Sequence, residues 1–358
     1  MEAHPGSSSA PGGSAPGPSA SSAPGGSSPR RSVTIHDVAR VAGVGRQTVS
    51  NVLNGGGRVG AATRERVLDT VQALGYQPHR GARSLRSRRT MQLAYLMPRI
   101  QLQPSNLIML QFLQALVSAA AHRDYSVVVV APEGDPLENI RRLIASRSVD
   151  AFVLSESTPS DPRIELIAAT GVPFACFGRI WPPLPQHWID IDNRAGTDAA
   201  VEHLVGRGLT SLAYVGYRPA QYWDTDRAAG FRDATARHGV GADAPVLRVD
   251  ENDAREQIRA LISAYAPAGI VTGSDKLAAI VYSAAADLGL TIGRDLAVTG
   301  FDGSVIASLL SPQLTTVAIP VDDIASRIVD RSLRQLGHGP DTQPGELVPA
   351  ELRQGAST

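Results

Sequence analysis

The sequence predicts a small all-α helix-turn-helix head joined to an α/β body of two doubly wound subdomains. Three observations lead there. Residues 34–54, TIHDVARVAGVGRQTVSNVLN, read as two short helices about a glycine turn. Charge is divided along the chain: Arg30 to Thr90 holds 12 arginines against Asp37, Glu65 and Asp69, a net of +9. The whole chain balances to zero, so the remainder carries −9, as expected of a basic nucleic-acid module on an acidic body. From Gln92 onward, apolar runs of strand length alternate with helical stretches, the signature of parallel sheets covered by helices on both faces. With 358 residues there is room for two to three folded units.

The elements follow in order. Residues 1–31 are almost entirely Ser, Gly, Pro and Ala, with nothing to bury, and are expected to be a disordered tail. The head is expected over 32–77. Thr34 is placed to cap its first helix, with Asp37 in the first turn where negative charge suits the helix dipole. Ile35, Val38, Ala39 and Ala42 recur at helical spacing. Gly43 stands where that helix must reverse, because glycine takes a left-handed backbone without steric cost. The second helix turns Val49, Val52 and Leu53 inward and leaves Arg46, Gln47, Thr48, Ser50 and Asn51 facing out. Such a face of bidentate donors and hydroxyls suits the major groove of DNA. A third helix, about 62–74, carries Val67, Leu68, Val71 and Leu74 on one stripe and stops at Gly75. The polar, arginine-rich stretch 78–90 is too short to hold a helix alone; it is expected to be a linker or to fold on DNA.

In the body, 91–358, LAYLMP, SVVVVAP, AFVLSE, PFACFG, LAYVGY, GIVTG, LAVTGFD and TTVAIP read as strands. Helical stretches intervene near 106–122, 137–147, 195–207, 227–238, 253–265, 275–288 and 321–336. So many strands need two sheets, and ligands of such sheets bind beyond the carboxyl ends of the strands. A cleft between two subdomains follows.

Other classes are disfavoured. Cys176 is the only cysteine, so no internal disulfide can form, and its apolar run FACF makes it a small core residue. Lys276 is the only lysine, a bias read as compositional. No run reaches membrane-spanning length and no signal-peptide pattern opens the chain, so a cytoplasmic protein is expected. A transport receptor would need such a signal and no basic head. Residues 55–60 fit GxGxxG but follow a helix, so a dinucleotide site fails its context test. His36, His79 and His122 are scattered, and no triad, metal spacing or phosphate loop appears. Neither an enzyme nor a cofactor is expected.

VTIHDVARVAGV..QTVSNVLN, TRERV...VQALGYQP and ARSLRS in the head, with IDIDNRAGTDAAVEHL, DRAAGF and GFDGS in the body, make the chain resemble the LacI/GalR family of bacterial transcription regulators over about residues 33–350. The resemblance implies a periplasmic-binding-protein-like body whose chain crosses between subdomains near Asp190, Ile319 and residue 345. It implies a homodimer on pseudo-palindromic operator DNA, acting as a repressor of carbohydrate-utilisation genes. By position, Arg46, Gln47 and Asn51 match the base-reading residues. Thr34, Thr48, Ser50, Asn54 and Arg58 match contacts to phosphate or the groove edge. Ala82 and Leu85 match a hinge helix that enters the minor groove. The sequence departs from the family at Gly45 and Gly60, where serine usually starts a helix, and at Gly81 within the hinge, where glycine weakens a helix by about 1 kcal/mol.

The resemblance also points to a small effector between the subdomains, a mono- or oligosaccharide first and a nucleoside second. Arg227 matches the effector-clamping arginine, whose planar fork grips hydroxyls in two places. Asp302, in GFDGS, can accept from vicinal hydroxyls. Ser274 and Asp275 replace the usual Asn-Asp pair, and Asp275 reads equally as a helix cap. Gly178 stands where some relatives place an aspartate, and Arg179 follows it. Of Trp181, Trp188 and Trp223, the last is favoured for stacking on a sugar because it precedes Arg227 by four residues.

Overall fold

The computed structural model describes residues 33–53, 59–76, 89–98, 107–131, 134–180, 184, 187–218, 221–241, 243–250, 252–338 and 344–358. The chain divides into two compact units, residues 1–82 and 83–358. Asn54, Arg58, Gly81, Ala82, Leu85, Trp181 and the tail 1–31 lie outside the described residues.

In the first unit, α1 (Ile35–Ala42) starts from a reciprocal cap. The Thr34 hydroxyl accepts from the Asp37 N–H at 3.4 Å, and the Asp37 carboxylate accepts from the Thr34 N–H at 3.0 Å. Both helix-end donors are thereby satisfied; the Thr34 hydroxyl also donates to the Asp37 carboxylate at 2.7 Å, and this bond, then that from the Thr34 N–H, holds the carboxyl below its ordinary pKa. Gly43, at φ 65°, closes α1 in the left-handed conformation. Beyond that turn α2 (Arg46–Leu53) begins, and α3 (Ala61–Leu74) follows. Val38, Ala42, Val49, Val52, Val67 and Tyr76 meet in the core between them. Arg66 ties α3 to the end of α1 by donating from Nε to the Ala42 carbonyl at 3.0 Å. Leu68 corrects the expected stripe, being 45% exposed. Val67, Val71 and Leu74 share one face at helical spacing, and Leu68 lies about 100° round from Val67.

The second unit begins with β1 (Gln92–Leu96), α4 (Leu107–Ala121), β2 (Ser126–Val130), α5 (Pro136–Ala145), β3 (Ala151–Ser155), α6 (Pro162–Thr170), β4 (Phe174–Phe177) and β5 (Trp188–Ile191). Next come α7 (Asn193–Gly206), β6 (Leu212–Tyr217), α8 (Tyr222–Arg237), β7 (Val246–Val249), α9 (Ala254–Tyr265), β8 (Gly269–Thr272), α10 (Asp275–Asp287), β9 (Ala297–Asp302), α11 (Val305–Leu309) and β10 (Thr315–Ala318). The last elements are α12 (Val321–His338), β11 (Glu346–Val348) and β12 (Glu351–Arg353).

The strands form two sheets, β2-β1-β3-β4-β5-β11 (sheet A) and β7-β6-β8-β9-β10-β12 (sheet B). All neighbours are parallel except β12, which runs antiparallel to β10. Every residue of β3, β4, β8 and β10 is buried, which is why these strands read as continuous apolar runs instead of alternating ones. The chain leaves sheet A after Ile191, returns after Ala318 and leaves again between Val348 and Glu351. The last passage lies beyond residue 345, because 346–348 first adds a strand to sheet A beside β5. Among the described residues, no helix is long and apolar enough to cross a membrane.

Candidate functional site

In the first unit, α2 exposes Arg46 and Gln47 and leaves Thr48, Ser50 and Asn51 half-buried. Gln47 Nε2 donates to Asn51 Oδ1 at 3.0 Å. One helical turn apart, these two amides form a fixed pair beside Arg46, with the spare donors and acceptors that base edges require. At the start of α2 the Gly45 carbonyl accepts from the Thr48 and Val49 N–H groups at 2.9 and 3.2 Å. Thr34 is occupied by its capping box.

In the second unit a cavity of about 370 Å³ opens between the two sheets. Trp223, Arg227, Ser274 and Asp302 line it. Arg227 is the anchor, only 4% exposed. It lies on the second turn of α8, not on a loop, because that helix begins at Tyr222. Its Nε donates to Asn193 Oδ1 at 2.8 Å, and Nη1 donates to the Gly273 carbonyl at 2.7 Å and to Asp302 at 3.2 Å. The guanidinium sits 3.5 Å from the Phe301 ring centre and 4.7 Å from that of Trp223. Spacing of i, i+4 on one helix explains the Trp223 contact. Stacked and hydrogen-bonded, the buried cation is fixed in direction.

Acids surround this anchor. Asp302 ends β9 at φ 111°, and burial pushes its carboxyl up to about 7 against the pull of Arg227. Asp190, on β5, is pushed up to about 6 by burial, opposed by the Ile191 N–H and then Arg179. Glu156, one residue past β3 at φ 51°, is likewise raised by burial. The Trp223 indole N–H offsets part of that rise, though it closes no hydrogen bond of normal geometry. A ligand here meets a rigid cation, carboxyl acceptors and an indole face.

Asp275 is fully buried and lies behind the cavity wall, accepting from the Ser304 N–H at 2.6 Å and hydroxyl at 2.9 Å. The cap of α10 is Ser274, which accepts from the Leu277 N–H at 3.2 Å while its hydroxyl meets that of Tyr217 at 2.7 Å. Arg179 also lies off the cavity lining. It pairs with Asp226 at 3.2 Å and with Asp190 at 3.8 Å, and so links the end of sheet A to α8. Its N–H donates to the Tyr222 hydroxyl at 3.1 Å. That hydroxyl occupies the space a Cβ at Gly178 would need, and Gly178 sits at φ 109°, so an aspartate is excluded there. Trp188 packs against the Ala94–Leu96–Phe152–Cys176 core cluster, and among the described residues Trp223 is the tryptophan on the cavity.

Glu156, Asp190, Asn193 and Tyr222 were not among the sequence candidates. Glu156 and Asp190 end or adjoin strands of sheet A, where the carboxyl-end rule applies, so position was the available signal. Among the described residues, no cluster of three or more His, Cys, Asp or Glu could hold a metal ion.

Residues 34–79 match the family described as bacterial regulatory proteins, lacI family, and residues 201–358 match a periplasmic binding protein-like domain. The chain is 30% identical over 338 residues to the HTH-type transcriptional regulator AglR of Rhizobium meliloti (strain 1021), covering 91% of this chain and 94% of that protein. Among solved structures it is similar to the lac repressor dimer bound to operator and the anti-inducer ONPF, with a TM-score of 0.74, 27% identity, and 91% and 99% of the two chains covered. A transcriptional regulator CelR–cellobiose complex gives a TM-score of 0.67 and 25% identity, with 91% and 100% covered.

Proposed function

The chain belongs to the LacI family of bacterial regulatory proteins, and from that membership we propose a homodimeric, cytoplasmic repressor of carbohydrate-utilisation genes whose hold on a pseudo-palindromic operator is set by a sugar in the cleft. The observation that carries the sugar reading is Arg227. It is immobilised by Asn193, the Gly273 carbonyl and Asp302, and stacked between Trp223 and Phe301. An arginine–carboxylate pair beside an indole presents donors and acceptors to vicinal hydroxyls and a flat apolar face to a pyranose ring. The cellobiose complex of CelR and the ONPF complex of the lac repressor support the same class of ligand.

In the head, Arg46, Gln47 and Asn51 are the proposed base readers. Thr34, Thr48, Ser50, Asn54 and Arg58 position the backbone, and Ala82 and Leu85 form the hinge contact. Leu110 and Val117 on α4, Val129 on β2, and Val305 and Leu309 on α11 are exposed apolar side chains, a distribution over both subdomains that suits burial against a second copy. Sugar binding changes the relation of the two subdomains and thereby the paired heads.

Selection from randomised duplexes with the full chain is expected to return two inverted half-sites. Titration of that complex with a panel of sugars should then release it for one structural class. DNA binding indifferent to every sugar and nucleoside would remove the effector-linked part of the reading.

A further inference from the structure

Two residues lining the cleft around Arg227 each carry a buried polar atom without a hydrogen-bond partner, Asp190 Oδ2 and Trp223 Nε1. Asp190 is only 2% exposed and faces the cavity from β5. Its Oδ1 accepts from the Ile191 N–H at 2.8 Å and from the Tyr222 hydroxyl at 3.5 Å. Its Oδ2 has Arg179 Nε at 3.8 Å, and that guanidinium lies closer to Asp226, at 3.2 Å. A buried acceptor in this state carries a cost that a bound donor would recover.

Glu156 lines the same cavity, half-buried one residue past β3, and forms no ion pair among the described residues. The two carboxyls act on each other and on one neighbour. Asp190 adds to the rise that burial causes at Glu156, and after burial both acids push up the Tyr222 hydroxyl. Arg227 is committed elsewhere, to Asn193, the Gly273 carbonyl and Asp302. A ligand hydroxyl placed between the two acids donates one proton and leaves both charges unbalanced. An ammonium donates three and balances one of them.

We propose that the effector is an amino sugar, its ammonium held between Glu156 and Asp190 while the ring lies against Trp223 and Arg227. A hydroxyl beside the amine then accepts from the Trp223 indole N–H, the second unpartnered atom. This inference rests on the sugar reading of the Arg227 cleft.

The test takes hexoses in pairs, each parent against derivatives in which one hydroxyl at a time is replaced by an amine, by calorimetry on the full chain near neutral pH. For the sugar that binds, one amine is expected to be about 10- to 30-fold tighter than its parent, the difference between a charged and a neutral hydrogen bond. N-acetylation of that amine removes the charge and should abolish the gain. Glu156→Gln and Asp190→Asn each keep the shape and remove a charge, and each should bring the ratio of amine to parent affinity down towards one. Arg227→Lys should weaken amine and parent alike and leave that ratio standing. No amine tighter than its parent, a gain kept by the N-acetyl form, or a gain that survives both acid substitutions overturns the amino-sugar inference and leaves the sugar reading standing. No binding by any sugar or amine overturns both.

Discussion

Arg227 concentrates the specificity of the cleft in one side chain. Its three hydrogen-bond partners and two aromatic neighbours fix a planar fork, a geometry that an ammonium cannot reproduce. Arg227→Lys should weaken sugar binding about 100-fold, as expected when a charged buried network loses its geometry, while operator affinity without sugar is retained. Calorimetry and operator titration on the same sample separate the two effects. Asp302 adds a pH dependence. Burial raises its carboxyl to about 7, with Arg227 opposing and Asp275 and Glu156 adding to the rise. Because the folded value lies above the ordinary 3.8, the folded state binds this proton more tightly. The contribution to stability is present at low pH and is lost as pH climbs towards 7. Sugar hydroxyls donate to the ionised form, so affinity should rise with pH through about 7, by at most about tenfold per unit for one proton. Asp302→Asn should flatten that step, leaving only the earlier rise near the value of about 6 at Asp190; an unchanged profile would remove Asp302 from the binding surface. Arg227 and Asp302 were legible in the sequence because DRAAGF and GFDGS carry them. Glu156 was not, since a lone acid after an apolar run looks like any solvated strand end. Arg179 is turned towards Asp226 instead of the cavity, a pairing the sequence does not show because Asp226 lies 47 positions away, on a helix whose start is polar and aromatic.

Among the elements, those that were legible carry their own punctuation. α1 and α3 end in glycines at φ 65° and 60°, and their apolar faces repeat at helical spacing. β1, β3, β6 and β9 are apolar along their length. The short strands β5, β7, β11 and β12, WIDI, VLRV, ELV and ELR, are set by their neighbours in the sheet and show no run of their own. α8 begins five residues before the periodicity suggests, because YWDTD is polar and aromatic at its start. That shift moves Trp223 and Arg227 from a loop onto one rigid face. α2 offers an elementary gain. Gly45 carries no side-chain oxygen, its φ is not in the left-handed region, and an added Cβ would meet nothing nearer than the Thr48 hydroxyl at 4.0 Å. Gly45→Ser therefore fits. A serine there adds a cap worth a few tenths of a kcal/mol over glycine and a hydroxyl for the phosphate backbone. Operator affinity should tighten about two- to fivefold, within the range of one added hydrogen bond, and a fluorescence-anisotropy titration at fixed salt measures it. Looser binding would show that α2 approaches the DNA too closely at this point for a side chain.

At the scale of the whole body, the two sheets are joined by three passages of chain and by a set of contacts centred on the first turns of α8. Asp226 pairs with Arg179 at 3.2 Å across the cleft and with Arg194 at 3.5 Å on its own side. Tyr222 accepts from the Arg179 N–H and reaches the Asp190 carboxylate at 3.5 Å. Tyr222 and Asp190 line the cavity and Arg179 and Asp226 do not, yet together they oppose or favour any change in the angle between the sheets. Asp226→Asn removes the charge and keeps the shape. Arg179 then retains Asp190 at 3.8 Å, so the sheets lose one half-exposed ion pair, worth about 0–1 kcal/mol. If ligand is held with the cleft closed, that loss must appear in the ligand's own affinity, because a ligand responds to every change in the balance between conformations. Sugar affinity is expected to fall about two- to fivefold, the radius of gyration of the sugar-free protein to grow, and the coupling between sugar and operator to change by equal factors from either side. Calorimetry, solution scattering and operator titration read the three. Unchanged affinity for both ligands would place Asp226 outside the switch and leave Tyr222 and the chain passages themselves to carry it.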